Sequence, residues 1–365
     1  VVGPESIFIS LKRNKTVLAT ILVIPVSVLL IGFLLPQLSA PDTTVNDQGE
    51  VVPLDDVTRS QLVDDRRKTW AQIAVGIIVM LGVLATFRRT SATERTVHLL
   101  QEGQITERFT RAIDQLGSDN TAVCLGGIYT LERIAKDSPN NDHRQVMEVL
   151  TAYVRENAQW IEPAEGEENQ EERPSTVIQA ILTVLGRRNA DSDGPDDRLD
   201  LSNTNLQRAN LEVLSLARAN FAYAHLEGAF LLDANLEGAY LPSAHLERAF
   251  LSGAHLEGAR LLGAHLEGAN LYIAHMERAS LSAAHLEGAI LIDAHLEGAF
   301  FSDARLEGAY LSGAHLEGAI LYAAHLESVN FEHSEGLTKQ QLDTALWDEH
   351  TQFPEGFEPP PMRQN

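Results

Sequence analysis

Through most of its second half the chain places an apolar residue at every fifth position. From Leu201 to Phe331 each of 27 such positions is Leu, Phe or Met, without one insertion, and from Ala219 to Ala324 an Ala stands two places before each. A period of five matches neither the 3.6 of a helix nor the 2 of a free strand. To keep all of these side chains on one side, the backbone must turn a corner in every repeat, so the pattern A-x-(L/F)-x-x predicts short sides and corners stacked as coils. Gly228, Gly238, Gly258, Gly268, Gly288, Gly298, Gly308 and Gly318 fall two residues after a central position, where a corner needs permissive dihedrals.

The first half obeys other rules. Thr16 to Leu35 carries no charge over 20 residues, a length that matches the ~30 Å hydrocarbon core, with a kink expected at Pro25. A second uncharged run, Trp70 to Phe87, is closed by Arg88 and Arg89. The pattern predicts a two-helix transmembrane hairpin within residues 1–90, with spans at about 16–35 and 70–87. A cleavable signal ending at Leu38-Ser39-Ala40 fits less well, because the apolar run is long and Leu38 is bulky. Lys12, Arg13, Lys15, Arg88, Arg89 and Arg95 flank the pair, against Arg59, Arg66, Arg67 and Lys68 in the connecting loop. That bias favours both termini on the cytoplasmic side.

Residues 91–160 read as a small all-α domain. A helix from Ser91 to Leu116 is marked by Val97, Leu100, Ile105, Phe109, Ile113 and Leu116, and its end at Gly117 suits a left-handed residue. Two more helices follow at about Asn120 to Ala135 and Asp142 to Asn157, separated by Asp137-Ser138-Pro139-Asn140. Residues 161–174 form an acidic linker, with six Glu among the eleven residues from Glu162 to Glu172. In 175–198, Ser175 caps a short helix that plugs the start of the coil, so that apolar side chains and strand edges do not face water. The repeat occupies 199–333. In 334–365, Thr338 caps a closing helix through Leu346, and a proline-rich tail after Phe353 is expected to be loose.

With its central Leu and preceding Ala, the 201–331 pattern resembles the pentapeptide-repeat family. The resemblance implies a right-handed quadrilateral β-helix, four pentapeptides to a turn, with both of those side chains inward. At about 4.8 Å per coil, 27/4 coils make a rod of roughly 32 Å, and each buried Leu contributes about 2 kcal/mol by area. RAIDQLGSDN and LGGIYTLERIAKDSP between Arg108 and Asn157, the plug VIQAILTVLGRR and the exit GLTKQQLDTA resemble the membrane-bound bacterial members of that family. They imply a bacterial plasma-membrane protein, and the charge bias puts its coil in the cytoplasm.

His-Leu-Glu-Gly-Ala alternates with a freer pentapeptide, which on a four-sided coil puts like residues on opposite walls. One ionic wall carries His225, His245, His265, His285 and His325 beside Glu227, Glu247, Glu267, Glu287, Glu307 and Glu327. The opposite one carries His255, His275, His295 and His315 beside Glu237, Glu257, Glu277, Glu297 and Glu317. Imidazole and carboxylate are zinc ligands, but columns on a flat wall do not converge tetrahedrally, so the expectation is a solvated face without metal. These nine histidines are expected to respond to pH, since the family usually has Asp or Asn there. From Leu199 to His333 there are 17 acidic and six basic residues, net -11; nine imidazolium charges near pH 6.5 bring this to about -2. The remaining walls present Phe230, Leu232, Phe250, Tyr272, Ile290, Ile292 and Tyr310 on one side, and Tyr240, Leu262, Phe300, Ile320 and Tyr322 on the other. The first of these is the expected partner-binding wall, or the seam of a homodimer.

The formal charge of -23 argues against direct nucleic-acid binding. Cys124 is the only cysteine, which excludes a disulfide framework within one chain. No P-loop, dinucleotide fingerprint, nucleophile elbow or paired metal histidines at helical spacing occurs, so neither catalysis nor a cofactor is expected. The sequence points to a membrane-anchored scaffold with an unidentified protein partner. The alternative is an acidic DNA mimic that inhibits a DNA-binding enzyme such as a type II topoisomerase, as some pentapeptide-repeat proteins are known to do.

Overall fold

A helix continues until something stops it, and between Asp56 and Leu116 there is no proline. The computed structural model, which describes residues 41–162, 173–194 and 196–362 together with Ser27 and Ile31, and only the backbone of 87–102, accordingly shows one helix there, α1 (Asp56–Leu116). The predicted start at Ser91 is therefore not a boundary: the second apolar run and the helix after it are one element. Its stretch Asp56–Thr86, 31 residues, is the one helix among the described residues long and apolar enough to cross a membrane. The predicted span at 16–35, and with it the two-helix hairpin, lies outside the described residues apart from Ser27 and Ile31.

The chain divides into two units, Val1–Gly103 and Gln104–Asn365. In the first, the segment expected to be a plain loop forms an antiparallel hairpin of β1 (Thr43–Val45) and β2 (Val51–Pro53), with Thr43 opposite Pro53. Asn46 holds its turn: the side-chain oxygen accepts from the N–H groups of Gln48 at 3.1 Å and Glu50 at 2.9 Å.

In the second unit α2 (Thr121–Asp137), α3 (His143–Asn157) and α4 (Thr176–Gly186) share a core with the last turns of α1, built on Ala112, Leu116, Cys124, Ile128, Leu131, Val146, Leu150, Ile181 and Leu185. The Asn120 side chain accepts from Ala122 at 3.0 Å and starts α2. A Cβ at Gly127 would stand 2.7 Å from the Ala112 carbonyl oxygen, so glycine is what lets α2 lie against the end of α1. Gly117 is not left-handed as expected; its N–H bonds instead to the Ile113 carbonyl at 3.1 Å, closing α1 with an ordinary turn. Of the predicted acidic linker, only residues 161, 162, 173 and 174 are among those described.

From Asp200 onward each side of the coil pairs in parallel with the residue twenty positions later, Asp200 with Asn220, Asn205 with His225 and so on, which is four pentapeptides to a turn. One repeat shows how the backbone is satisfied. Leu256 N–H donates to His275 at 2.6 Å, Gly258 to Glu277 at 2.9 Å, Ala259 to Leu256 at 2.9 Å across the corner, and His255 back to Ala234 at 2.9 Å. No central side chain from Leu201 to Phe331 is more than 1 % exposed, and no Ala of the 219–324 column more than 2 %. The corner residue two places after the centre always has positive φ, including Val213 at 59° and Ile273 at 51°. There a type II turn demands the left-handed region.

Both ends are closed. At the first coil, Asn205 N–H reaches the Ala158 carbonyl at 2.6 Å and Ser215 N–H the Gly186 carbonyl at 2.7 Å. The Gln179 amide imitates a missing strand, accepting from Asn210 N–H at 2.9 Å and donating to its carbonyl at 2.7 Å. Ser175 caps α4 as expected, bonding Ile178 N–H at 3.3 Å. Buried His143 meets Asp193 at 2.9 Å, and Arg188 binds the same carboxylate at 2.6 Å while donating to the Ser215 carbonyl, which ties α3 to the coil.

At the exit, Thr338 and Gln341 form a capping box on α5 (Lys339–Leu342). That helix stops four residues short of the predicted Leu346, because Leu346 is taken by the coil: Leu326 N–H bonds its carbonyl at 2.7 Å, and its own N–H bonds Ala324 at 2.8 Å. Gln352 adds a further rung beside Asn330. Nor is the start of the tail loose. Phe353 stacks on Phe331 at 6.1 Å and on Phe357 at 5.5 Å, with Trp347 edge-on at 5.3 Å, an aromatic lid over the last coil.

A β-branched side chain in the left-handed region costs about 1–2 kcal/mol, which Asn largely avoids. Ile273→Asn is expected to stabilise the solenoid by about 1 kcal/mol, a rise in Tm of roughly 2–4 °C. Two residues earlier, Leu271→Ala is expected to destabilise it by about 2–5 kcal/mol. Thermal unfolding of the detergent-solubilised chain by circular dichroism checks both signs.

Candidate functional site

Because the register is twenty residues, alternation of period ten places like residues above one another on opposite walls. The ladder His225–His245–His265–His285–Arg305–His325 runs up one wall, and His255–His275–His295–His315 up the opposite one. The imidazoles stack face to face: 4.3 Å between the centroids of His225 and His245, 4.7 Å for His245 and His265, and 4.7 Å for His275 and His295. Trp160, which nothing in the repeat pattern could flag, lies on His225 at 3.6 Å and tops the first stack.

Where the coil has Asn at this position, as at Asn235, its oxygen accepts the N–H two residues on at 3.0 Å. Histidine instead turns Nδ1 to the carboxylate of that same residue: 2.8 Å from His225 to Glu227, 3.0 Å from His245 to Glu247 and 3.1 Å from His255 to Glu257. The carboxylates are less wet than a solvated face requires. Nine of them, those of Glu227, Glu247, Glu257, Glu267, Glu277, Glu287, Glu297, Glu307 and Glu327, have an Oε2 with no solvent access and no hydrogen-bond partner. The bond to Glu247 raises the His245 pKa; burial works against this, and the charges of Glu247, Glu227 and Glu267 reinforce it.

The wall with Phe230 pairs it with Phe250, then Asn270, Ile290, Tyr310 and Asn330. Phe230 and Phe250 stack at 5.1 Å. Asn270 interrupts the apolar column, but Tyr272 beside it is exposed and carries the aromatic surface past the gap. Leu232 and Ile292 are half-buried on the same side. The opposite wall is more broken: between Tyr240 and Phe300 stand Arg260, whose guanidinium lies 5.5 Å from the Tyr240 ring, and Ser280. At the foot of the first wall a cleft of about 650 Å³ opens against the helices, lined by Phe230, Arg208, Asn210, Gln179, Tyr129 and Leu125 among others. No sequence signal marked it, because α2 and α4 supply one side.

A filled, four-sided coil with its chemistry arrayed in columns along the outside is a solenoid-repeat protein. The family model for pentapeptide repeats matches it in eight copies, over residues 197–231, 215–253, 234–271, 279–318 and 301–334, so this segment of the chain is of the pentapeptide-repeat family. The fold of that family is the right-handed quadrilateral β-helix. Among solved structures, the chain is similar to HetL, a pentapeptide repeat protein involved in heterocyst differentiation regulation in the cyanobacterium Nostoc sp. strain PCC 7120. The identity is 28%, over 46% of this chain and 86% of that one, with a TM-score of 0.27. A pentapeptide repeat protein of the Arabidopsis thaliana thylakoid lumen is 29% identical over 26% of this chain and 63% of that one, TM-score 0.23. Full-length QnrB1, a plasmid-mediated fluoroquinolone resistance protein, is 20% identical over 39% and 81%, TM-score 0.21. Comparison with curated proteins gives no match.

The raised His245 pKa fixes the sign of a pH effect. An imidazolium favoured in the folded state adds its full stability below the ordinary pKa of 6.5 and loses it as pH rises through the raised value. Glu247, Glu227 and Glu267 are the charges facing it, with His225 and His265 stacked above and below. With EDTA present to keep trace metal off the imidazoles, Tm is expected to be lower at about pH 8 than at about pH 6, and His245→Gln to narrow that difference. An undiminished difference in the variant means the effect arises elsewhere.

Proposed function

We propose that this protein is a membrane-anchored scaffold that offers a rigid rod to a protein partner, with the apolar stretch of α1 holding it to the bilayer. The observation that carries the reading is the exposed aromatic surface on the wall less interrupted by polar residues: Phe250 is 42%, Tyr272 43% and Tyr310 50% exposed. Aromatic side chains in a column, on a backbone that loses no entropy when a partner docks, are the usual anchors of an interface. The cleft beside Phe230 gives that wall a concave end where a protruding side chain of the partner fits. A solid interior leaves the rod with convex walls and no water-excluding catalytic chamber, and the matching family model describes a structural repeat.

In α1, Val75, Val79, Met80 and Val83 are all more than half exposed, an apolar flank that lipid covers at no cost. A second span at 16–35, which rests on its uncharged length, and the cytoplasmic placement of both termini, which rests on the charge bias, belong to this same reading. The DNA-mimic alternative is weaker. A mimic must show its negative charge outward, whereas the Glu columns turn one oxygen inward and give the other to imidazole or, at Arg305, to guanidinium.

Two measurements test the proposal. The full chain is expected to stay in the membrane pellet after an alkaline carbonate wash; recovery in the supernatant removes the anchor. Alanine at Phe230, Phe250, Ile290 and Tyr310 together is expected to weaken self-association or partner binding at least about tenfold, measured by sedimentation in detergent and crosslinking in membranes. Alanine at Tyr240, Phe300 and Ile320 on the opposite wall is expected to have a smaller effect, and equal behaviour of the two variants rejects the assignment.

A further inference from the structure

At several steps from one coil to the next, the ionic walls bring together an imidazole, the carboxylate two residues on, and the imidazole above. On one wall these are His225, Glu227 and His245; His245, Glu247 and His265; and His265, Glu267 and His285. On the other they are His275, Glu277 and His295, followed by the variant Glu297, His315 and Glu317. In every set the three ligand atoms lie within 4.8 Å of one another. Three points that close have a common centre no more than about 2.8 Å from each (4.8/√3), against the 2.0–2.2 Å of zinc bonds to nitrogen and oxygen. An inward movement of less than about 1 Å per ligand closes the gap; apart from His225 and Glu227, at the foot of the column under Trp160, these side chains are only half-buried.

Two independent features say that a cation belongs there. The first is the set of nine Glu Oε2 atoms without solvent access or a donor, which leaves unused acceptor capacity on each of these carboxylates, at Glu287 and Glu307 beside Arg305 as well. The second is Arg305, the one residue that replaces histidine within its column. Its Nε lies 3.0 Å from the Glu287 carboxylate and 3.5 Å from that of Glu307, so the protein itself fills this inter-coil step with a fixed cation bridging two successive carboxylates. The steps without arginine have the same carboxylates, and imidazole nitrogens in place of the guanidinium.

We propose that the two ionic walls bind divalent transition-metal ions of the zinc class at their His, Glu and His sets, at alternate steps where adjacent sets share a histidine, because a neutral imidazole has a single lone pair to give, with water completing the shell. The ligand chemistry selects the ion. Imidazole nitrogen with a single carboxylate suits zinc, copper or nickel, whereas magnesium and calcium take all-oxygen shells. The stacked rings are nearly parallel, 1° apart for His245 and His265, so their Nδ1 atoms sit side by side, each bonded to its own glutamate, and a metal displaces the proton held there. Binding tilts each ring until both nitrogens face the shared ion, and metal and ring stacking are therefore alternatives. The proposal does not depend on the anchor or on the aromatic wall.

The test is calorimetric titration of the full chain, stripped with EDTA in detergent micelles, with zinc chloride and separately with magnesium chloride. Saturable binding of more than one zinc per chain is expected, with no heat from magnesium. His245→Gln with His265→Gln breaks all three sets on the first wall, and His275→Gln with His295→Gln the main set on the second; each pair is expected to lower the zinc count, and all four together to leave about a tenth of the binding or less. Should the glutamine variants lose the coil's circular dichroism, Glu247→Gln with Glu267→Gln decides instead: a weakening of about tenfold on that wall with every histidine retained supports the sites. Absence of saturable zinc binding, or a zinc count unchanged in the four-histidine variant, overturns the proposal.

Discussion

The width of the tube interior is the constraint on which the molecule depends. It admits one Leu-sized and one Ala-sized side chain per side and no more, so the backbone must turn after five residues and must turn the same way each time. Larger residues enter the Ala column only in the first and last coils, at Leu199, Thr204, Leu214 and Val329; between them every position is Ala, where a longer side chain would crowd the neighbouring coils. Phe221, Phe301 and Phe331 occupy central positions without exposure. The Ala two places before is kept at Ala219 and Ala299, and Val329 replaces it only before Phe331, at the last regular coil, where the Phe353 ring stacks over the end. The regular rise then follows from the ladder, and the columns on the outside follow from the rise.

Everything set by that local rule was legible in the sequence: which residues are buried, which share a wall, where permissive dihedrals are needed and where Ser175 and Thr338 cap helices. What escaped was decided by partners distant in sequence. Leu346 reads as the end of a short helix, yet it bonds with Ala324 and Leu326 because the last coil has an unpaired edge that it satisfies. Phe353 and Phe357 sit among prolines, a composition that reads as loose, but the end of the tube offers an apolar face that they cover. At Ser91 the reason is the opposite: composition changes there from apolar to polar, but no residue breaks the helix.

The candidate sites divide in the same way. The identity of each column could be read from the period of ten, but the electrostatics could not. A Glu on a strand wall is ordinarily wet, and only the coil spacing shows that the carboxylates stand close enough to shut one oxygen away from solvent. Like charges stacked at roughly 4.8 Å repel, and the protein compensates with imidazole at most steps and with Arg305 at one.

Perpendicular walls make these two chemistries separable. The ionic columns and the aromatic column stand at right angles on a four-sided rod, so an ion or proton taken up on one does not touch a surface pressed against the other. Their connection runs through the register alone, because all four walls share the coil rise. A rod whose ionic walls were pulled together by cations would shorten its aromatic wall by the same increment, and a partner that spans several coils, from Phe230 to Tyr310, would sense that change where one that grips a single ring would not.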